Sequence, residues 1–171
     1  MKLFVGVTDN RWFEFLAARD ADEVNFWRPR SRQGFKAVQV GEPFLFKLHH
    51  PLNFIVGGGF LVRHSVLPIS LAWKAFGEKN GTHDFETFRK HVVELGQREE
   101  HDPHIGCTIL GETFFFSRDE WIQVPPDWSK NIVVGKGYDT ASAIGLHLWQ
   151  DVEQRLMARD VKPTMLVDGP R

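Results

Sequence analysis

Hydrophobic positions along the chain fall into two textures: short apolar runs bounded by turn residues, and longer segments with apolar residues three and four apart. "KLFVGVT", "FLFKL" and "NFIVGGGFLV" are of the first kind and predict strands. In the last of them Gly57, Gly58 and Gly59 permit a sharp bend or the close approach of another backbone. "IGCTIL" and "TFFFS" predict two more strands, with Gly111-Glu112 between them as a tight hairpin connection. Of the second kind, "DFETFRKHVVEL" carries Phe85, Phe88, Val92 and Leu95 at helical spacing, and 140–157 carries Ile144, Leu148, Val152 and Leu156 likewise. Asp9 or Asn10 is placed to cap a short helix through Phe15, and "PISLAWKAFG" predicts a helix from near Ser70 that Gly77 stops. "GQREEHDPH" and "VPPDWSKN" read as polar, proline-punctuated loops, and the tail "VKPTMLVDGPR" has no strong pattern. The expected architecture is therefore α+β: five or so strands able to curl into a small barrel, surrounded by helices.

Composition narrows this to one compact domain, since 171 residues with 42% hydrophobic content suffice for a sizeable core. The start "MKLFVGV" holds one Lys and a brief apolar run, and no stretch approaches the ~18 apolar residues of a membrane span. A soluble, cytoplasmic protein with no membrane partner is expected. The lone Cys107 excludes an internal disulfide framework, and its place in "IGCTIL" predicts a buried, inert thiol, in keeping with a reducing compartment.

The net charge of −1 argues against a general nucleic-acid binder, but its distribution argues the other way. Within 24–77, Arg28, Arg30, Arg32, Lys36, Lys47, Arg63 and Lys74 face one acid, Glu42, a local +6 that leaves −7 for the rest. A positive face attracts polyanions while an acidic remainder preserves solubility; chance clustering on a solvated surface is the competing account.

Catalytic motifs are absent. Gly135 and Gly137 in "VVGKGYD" lack the third glycine of a dinucleotide fingerprint, and no Gly-rich loop ends in Lys-Ser or Lys-Thr. "HDPH" offers His101, Asp102 and His104 on a charged loop with no fourth ligand in register, and the neighbouring His49 and His50 would point to opposite faces of a strand. No catalytic set, metal site or cofactor is expected. The aromatic residues carry more information. Trp12, Phe26, Trp27, Phe46 and Trp73 lie in or beside the basic half, several just beyond expected element ends, where loops present side chains to ligands. Core packing competes for Phe46 and Trp73. Trp27 differs, because "RPRSRQG" follows it, a polar extended stretch foreign to a core strand.

The segments "KLFVGVTDNRWFEFL", "EVNFWRP", "GEPFLFKL", "NFIVGGGF", "LPISLAWKAFGEKNG", "IGC" and "KGYDT" together resemble the N-terminal half of bacterial HNH restriction endonucleases. That half in turn resembles EVE, YTH and SRA-related domains of the PUA superfamily. The resemblance covers nearly the whole chain and is most specific from "EVNFW" through "FGEKNG". It implies a PUA-like small bent β-barrel of five to six strands with flanking helices, spanning 1–158, with 159–171 as a tail or linker toward a nuclease domain. It also implies a specificity module for a modification-dependent restriction system. Its partner would be double-stranded DNA carrying 5-methyl- or 5-hydroxymethylcytosine flipped out of the duplex, and a homodimer is one assembly open to a full-length nuclease. The nuclease's His-Asn-His site has no counterpart in these residues, so the chain is expected to bind rather than cut.

Physical chemistry fits this expectation to named residues. Extruding a base costs a few kcal/mol and stacking on an aromatic returns ~1–3 kcal/mol, so rings need help from hydrogen bonds and phosphate contacts. Phe26 or Trp27 can stack, and Asn25 can donate and accept. Arg28, Arg30, Arg32, Lys36 and Lys47 can meet the backbone phosphates. By similarity to the superfamily, the pocket lies near Asp9 and Trp12, beside an "NFW" loop and the end of "FLFKLHH", with Phe46 and Trp73 as further walls. One buried methyl contributes only ~0.8 kcal/mol, about fourfold, so selecting a modified cytosine calls for a shaped cavity or a polar partner. Asn25, His49 and Asn53 are candidates for that partner, with turn capping or surface solvation as their competing roles. Two other functions stay open: an RNA-binding domain reading a modified or unpaired base, and an enzyme acting on a nucleotide.

Overall fold

A computed structural model describes the backbone of residues 1–30 and 35–167 and the side chains of these up to 159. Seven strands form one mixed sheet: β1 (Lys2–Thr8), β2 (Glu23–Arg28), β3 (Pro43–Leu48), β4 (Phe54–Pro68), β5 (His104–Phe115), β6 (Ile122–Gln123) and β7 (Gly135–Asp139). Four α-helices accompany it: α1 (Asn10–Arg19), α2 (Ile69–Phe76), α3 (Phe85–Gly96) and α4 (Ala143–Val167). The strand order is β2-β5-β4-β3-β1-β7, with β6 on a side branch of β4. Among the described strands only β1 and β3 run parallel. The expected α+β architecture is present, but the sheet has seven strands rather than five or six and is hydrogen-bonded as an open sheet with β2 and β7 at its ends.

Two local expectations need correction. "IGCTIL" and "TFFFS" are one strand, β5, because both halves pair with the same long strand β4, from Pro68 opposite His104 to Gly57 opposite Phe115. Gly111-Glu112 makes an irregularity in that ladder, with Glu112 at φ +47°, and not a reversal. "EVNFWR" is not a loop but β2, paired antiparallel with β5 so that Asn25 faces Ile109 and Trp27 faces Cys107. The Pro29 that argued against a strand comes one residue after its end, where a missing N–H costs no ladder bond.

Alternation in the buried strand β3 shows how the core is divided. Phe44, Phe46 and Leu48 join Phe4, Trp12, Phe13, Leu16, Phe26 and Phe115 in a cluster that holds α1. Leu45, on the other face, joins Leu3, Val5, Ile55, Phe114, Leu148 and Val152 beneath α4. A third cluster, of Ile69, Ala72, Phe88, Val92, Ile105, Cys107 and Ile109, fixes α2 and α3 to the outer part of the β4–β5 pair. Each fully buried side chain of this size is worth about 1.5–3 kcal/mol. Cys107 is buried as expected, and burial pushes its thiol pKa up.

The expected boundary between 158 and 159 falls inside α4, which runs on to Val167. Among the described residues no helix is long and apolar enough to cross a membrane.

Candidate functional site

The chain leaves β1 at Thr8 and β2 at Arg28, and both exits open onto one cleft of about 250 Å³. Its walls are Val7 to Asp9 with Trp12, Phe26 to Pro29, His49, the turn Asn80-Gly81, His91 and Leu95 of α3, and Val133-Val134.

Each wall has a local cause. Asp9 is the N-cap of α1, its carboxylate accepting from the backbone N–H of Arg11 at 2.8 Å and of Trp12 at 3.1 Å. Partial burial alone would raise the Asp9 pKa. The Trp12 and Arg11 N–H groups and the Arg11 guanidinium outweigh that, hold it below the usual carboxylate value, and leave Asp9 an ionised acceptor. One turn on, Trp12 is 6% exposed, donates its indole N–H to the Asn25 carbonyl at 3.2 Å, and meets Phe26 and Phe46 edge-on at 5.3 and 5.1 Å. Trp27 points to the other side of β2, where it packs edge-on against Phe88 at 5.5 Å and donates its indole N–H to the Asn80 carbonyl at 2.8 Å. It is only half-buried.

The Asn80-Gly81 turn is fixed from behind. The Asn80 amide accepts from Asn25 Nδ2 at 2.8 Å and donates to the carbonyls of Ala72 at 3.1 Å and Gly77 at 2.9 Å. Gly81 adopts φ +94°, and a Cβ there would run into the Trp12 indole, so only glycine lets the turn lie against that ring.

Arg28 supplies the cation. Its guanidinium donates to the Val134 carbonyl at 3.2 Å and lies 5.6 Å from the Phe26 ring, and burial lowers its pKa while leaving it protonated. The same carbonyl accepts from the Val7 N–H at 3.0 Å, so the 133–134 segment is tied to β1 and β2 together. His91 on α3 is pulled below its usual pKa, first by burial and then by Arg11, which keeps its imidazole neutral at pH 7, able to donate from one nitrogen and accept at the other. His49 is exposed at the rim.

Of the expected base-contacting residues, Asp9, Trp12, Phe26, Trp27 and His49 therefore converge, joined by Arg28 from the expected phosphate-contacting set. Among the described residues, the others do not line the cleft. Asn25 is fully buried one layer behind, where its amide supports Asn80. Phe46 is wholly buried core, and Trp73 on α2 packs at 6.2 and 5.9 Å from the Phe85 and Phe88 rings. Asn53 sits beside β6, its carbonyl accepting from Val124 N–H. Lys47 corrects the charge count. It is 3% exposed with its ammonium 5.6 Å from the Trp128 ring, and burial lowers its pKa, so it presents no surface charge to a phosphate. Lys36 is exposed in a different depression, with Met1 and Gln39. Arg30 is exposed next to the cleft, its Nε donating to the Gly96 carbonyl. Arg32 lies outside the described residues. Of the "HDPH" loop, Asp102 accepts from the Ser70 N–H at 3.0 Å and hydroxyl at 2.6 Å and so secures the start of α2.

Sequence reasoning missed Asn80, Gly81, His91, Leu95, Val133 and Val134. Two signals were available. An Asn-Gly pair right after a helix stop marks a turn, and Leu95, expected in the apolar stripe of Phe88 and Val92, is 44% exposed and instead shares a second stripe with His91, four residues before it.

No protein-family model matches the chain, and no curated protein sequence does. Solved structures do match in fold. One ZmASCH mutant protein from Zymomonas mobilis superposes with TM-score 0.52 at 8% identity, covering 92% of this chain and 98% of the other. A second ZmASCH mutant protein from Zymomonas mobilis gives TM-score 0.51 at 7% identity, over 91% and 94% of the two chains. At such identity the likeness speaks for the fold alone, and the fold is α+β and PUA-like.

Proposed function

We propose that this chain binds nucleic acid by receiving a single base in the cleft between the ends of β1 and β2. The observation that carries this reading is the meeting, in one cavity, of the half-buried Trp27 indole, the Arg28 cation and the ionised Asp9 acceptor. The first can lie against a base, the second can meet a flanking phosphate, and the third suits the exocyclic amino group of cytosine. Trp12 and Phe26, each 6% exposed, leave little free ring surface, so Trp27 is the aromatic contact and a sandwich between two rings is not required.

The ligand is double-stranded DNA carrying 5-methyl- or 5-hydroxymethylcytosine, and the chain acts as the specificity module of a modification-dependent HNH restriction system. Supporting this are the local excess of cations, the PUA-like fold, and apolar groups at Leu95 and Val134 against which a 5-substituent can rest. The 159–171 segment then serves as the connection to a nuclease.

Competition among matched duplexes that differ in one cytosine modification, with RNA of the same sequence in parallel, tests the proposal. A modified duplex should win by about fourfold or more, the worth of one well-buried methyl. Trp27→Ala should remove that preference, and a thermal unfolding curve run alongside establishes that the variant is folded. Equal binding of plain and modified duplex would exclude the modified base, tighter binding of the RNA would make this an RNA-reading domain, and turnover of the oligonucleotide would make it an enzyme.

A further inference from the structure

The cleft's rim carries a feature that base binding alone does not explain. Val133 is 78% exposed and Val134 53%, two adjacent apolar side chains held out in solvent at the mouth of the cavity, with Leu95 of α3 44% exposed at the same mouth. Single exposed apolar side chains are ordinary. Here three from two separate elements gather at one opening. The segment that bears the valines is also anchored, since the Val134 carbonyl accepts from both the Val7 N–H and the Arg28 guanidinium, and Ile132 closes a turn onto the Ser129 carbonyl.

A base can leave a duplex only if something takes its place in the stack, and proteins that open base steps commonly insert an apolar side chain to do so. We infer that Val133, backed by Val134, is the wedge that enters the gap left by the extruded base. This rests on the reading of the cleft as a base receptor and adds that its substrate is a duplex, because a single strand presents no stack to fill. Charge complementarity favours this occupant. Arg28 holds the segment in place, Arg30 stands exposed one residue after Pro29 of the cleft wall, and Lys130 is exposed three residues before Val133 in the same loop, all three poised for phosphates flanking a kinked step.

The wedge has a defined geometry of action. Its main chain is pinned to the exits of β1 and β2, so the valine stays at a fixed distance from the cavity it serves, and the base need only rotate about its own backbone to exchange places with it.

The test is fluorescence titration with oligonucleotides carrying 2-aminopurine beside the target cytosine, as a duplex and as the single strand. Unstacking should raise the fluorescence of the duplex on binding. Val133→Ser, at an exposed site that leaves the core untouched, should weaken duplex binding by about tenfold and suppress the fluorescence rise, while single-strand binding changes by no more than about twofold. Val133→Leu should restore both. Equal losses on duplex and single strand, or no loss on either, would overturn the wedge. Trp27→Ala in the same titration separates the two ideas: if it leaves both affinities intact, the cleft is no base receptor, whereas a loss with Trp27→Ala and none with Val133→Ser refutes the wedge alone.

Discussion

Replacing Asn80 by alanine removes a side chain that no ligand would touch, yet it should cost more than most changes in the cleft itself. Its amide accepts one hydrogen bond, from Asn25 Nδ2 at 2.8 Å, and donates two, to Ala72 O at 3.1 Å and Gly77 O at 2.9 Å, at a residue with no exposed surface. Asn80→Ala strands the Asn25 donor in a buried place, where an unmet polar group costs about 1–3 kcal/mol. The two carbonyls, each able to find a second donor or solvent on relaxation, add less, so the total should be about 2–4 kcal/mol. For a chain of 171 residues this lowers the thermal midpoint by roughly 5–15 °C, at about 2–4 °C per kcal/mol. Urea unfolding of wild type, Asn80→Ala, Asn25→Ala and the double variant measures it. Because the two side chains share one bond, the double variant should cost about 1–2 kcal/mol less than the sum of the singles. Additivity, or a cost under about 0.5 kcal/mol for Asn80→Ala, would refute the view that this amide pair holds the turn. Nucleic-acid binding should fall with the same variant, since the Asn80 carbonyl accepts from Trp27.

Two further outcomes follow from the charges. The Arg159 guanidinium at 2.8 Å, together with the Ser117 hydroxyl and N–H, holds the Glu120 carboxyl at a pKa of about 2 against partial burial. Because that value lies below the unfolded one, the stabilisation is complete above about pH 5 and is lost as pH falls toward 2. Discounted for the partly exposed guanidinium it amounts to about 1–2 kcal/mol, and Glu120→Gln should flatten the acid limb of the stability curve between those limits; an unchanged limb would assign the effect to other carboxylates. Arg28→Ala with Arg30→Ala should lower the slope of log affinity against log salt by about 1 for each phosphate that is no longer neutralised, while Lys47→Met leaves it unchanged because the buried ammonium meets no phosphate. A slope that responds to Lys47 and not to the arginines would move the backbone track elsewhere.

Much of the fold was legible because it is written in periodicity. β1, β3, the core of β4, and helices α1 to α3 stand where apolar spacing and caps put them, Asp9 and Gly77 included, whereas α4 runs past its expected end at Met157 to Val167. Reading failed where a strand's status depends on its partner. β2 is short and borders a polar stretch, and only β5 alongside it makes "EVNFWR" a strand; likewise, whether Gly111-Glu112 reverses the chain or bulges it depends on whether one long β4 runs past both halves.

The sequence by itself determined an α+β domain with helices on a sheet, one buried thiol, an asymmetric charge distribution, and a concentration of aromatic and cationic residues around 25–30. Only the tertiary structure decided which of those residues share a cavity. It sent Phe46, Asn25 and Lys47 inward and left Trp27 and Arg28 at an opening with Asp9. It also brought His91, Gly81 and Val133 to the same place from far along the chain. The physical reason is that periodicity in a local segment fixes which face of an element is apolar, whereas the side chains that meet across a cleft are set by the pairing register and packing of elements distant in sequence.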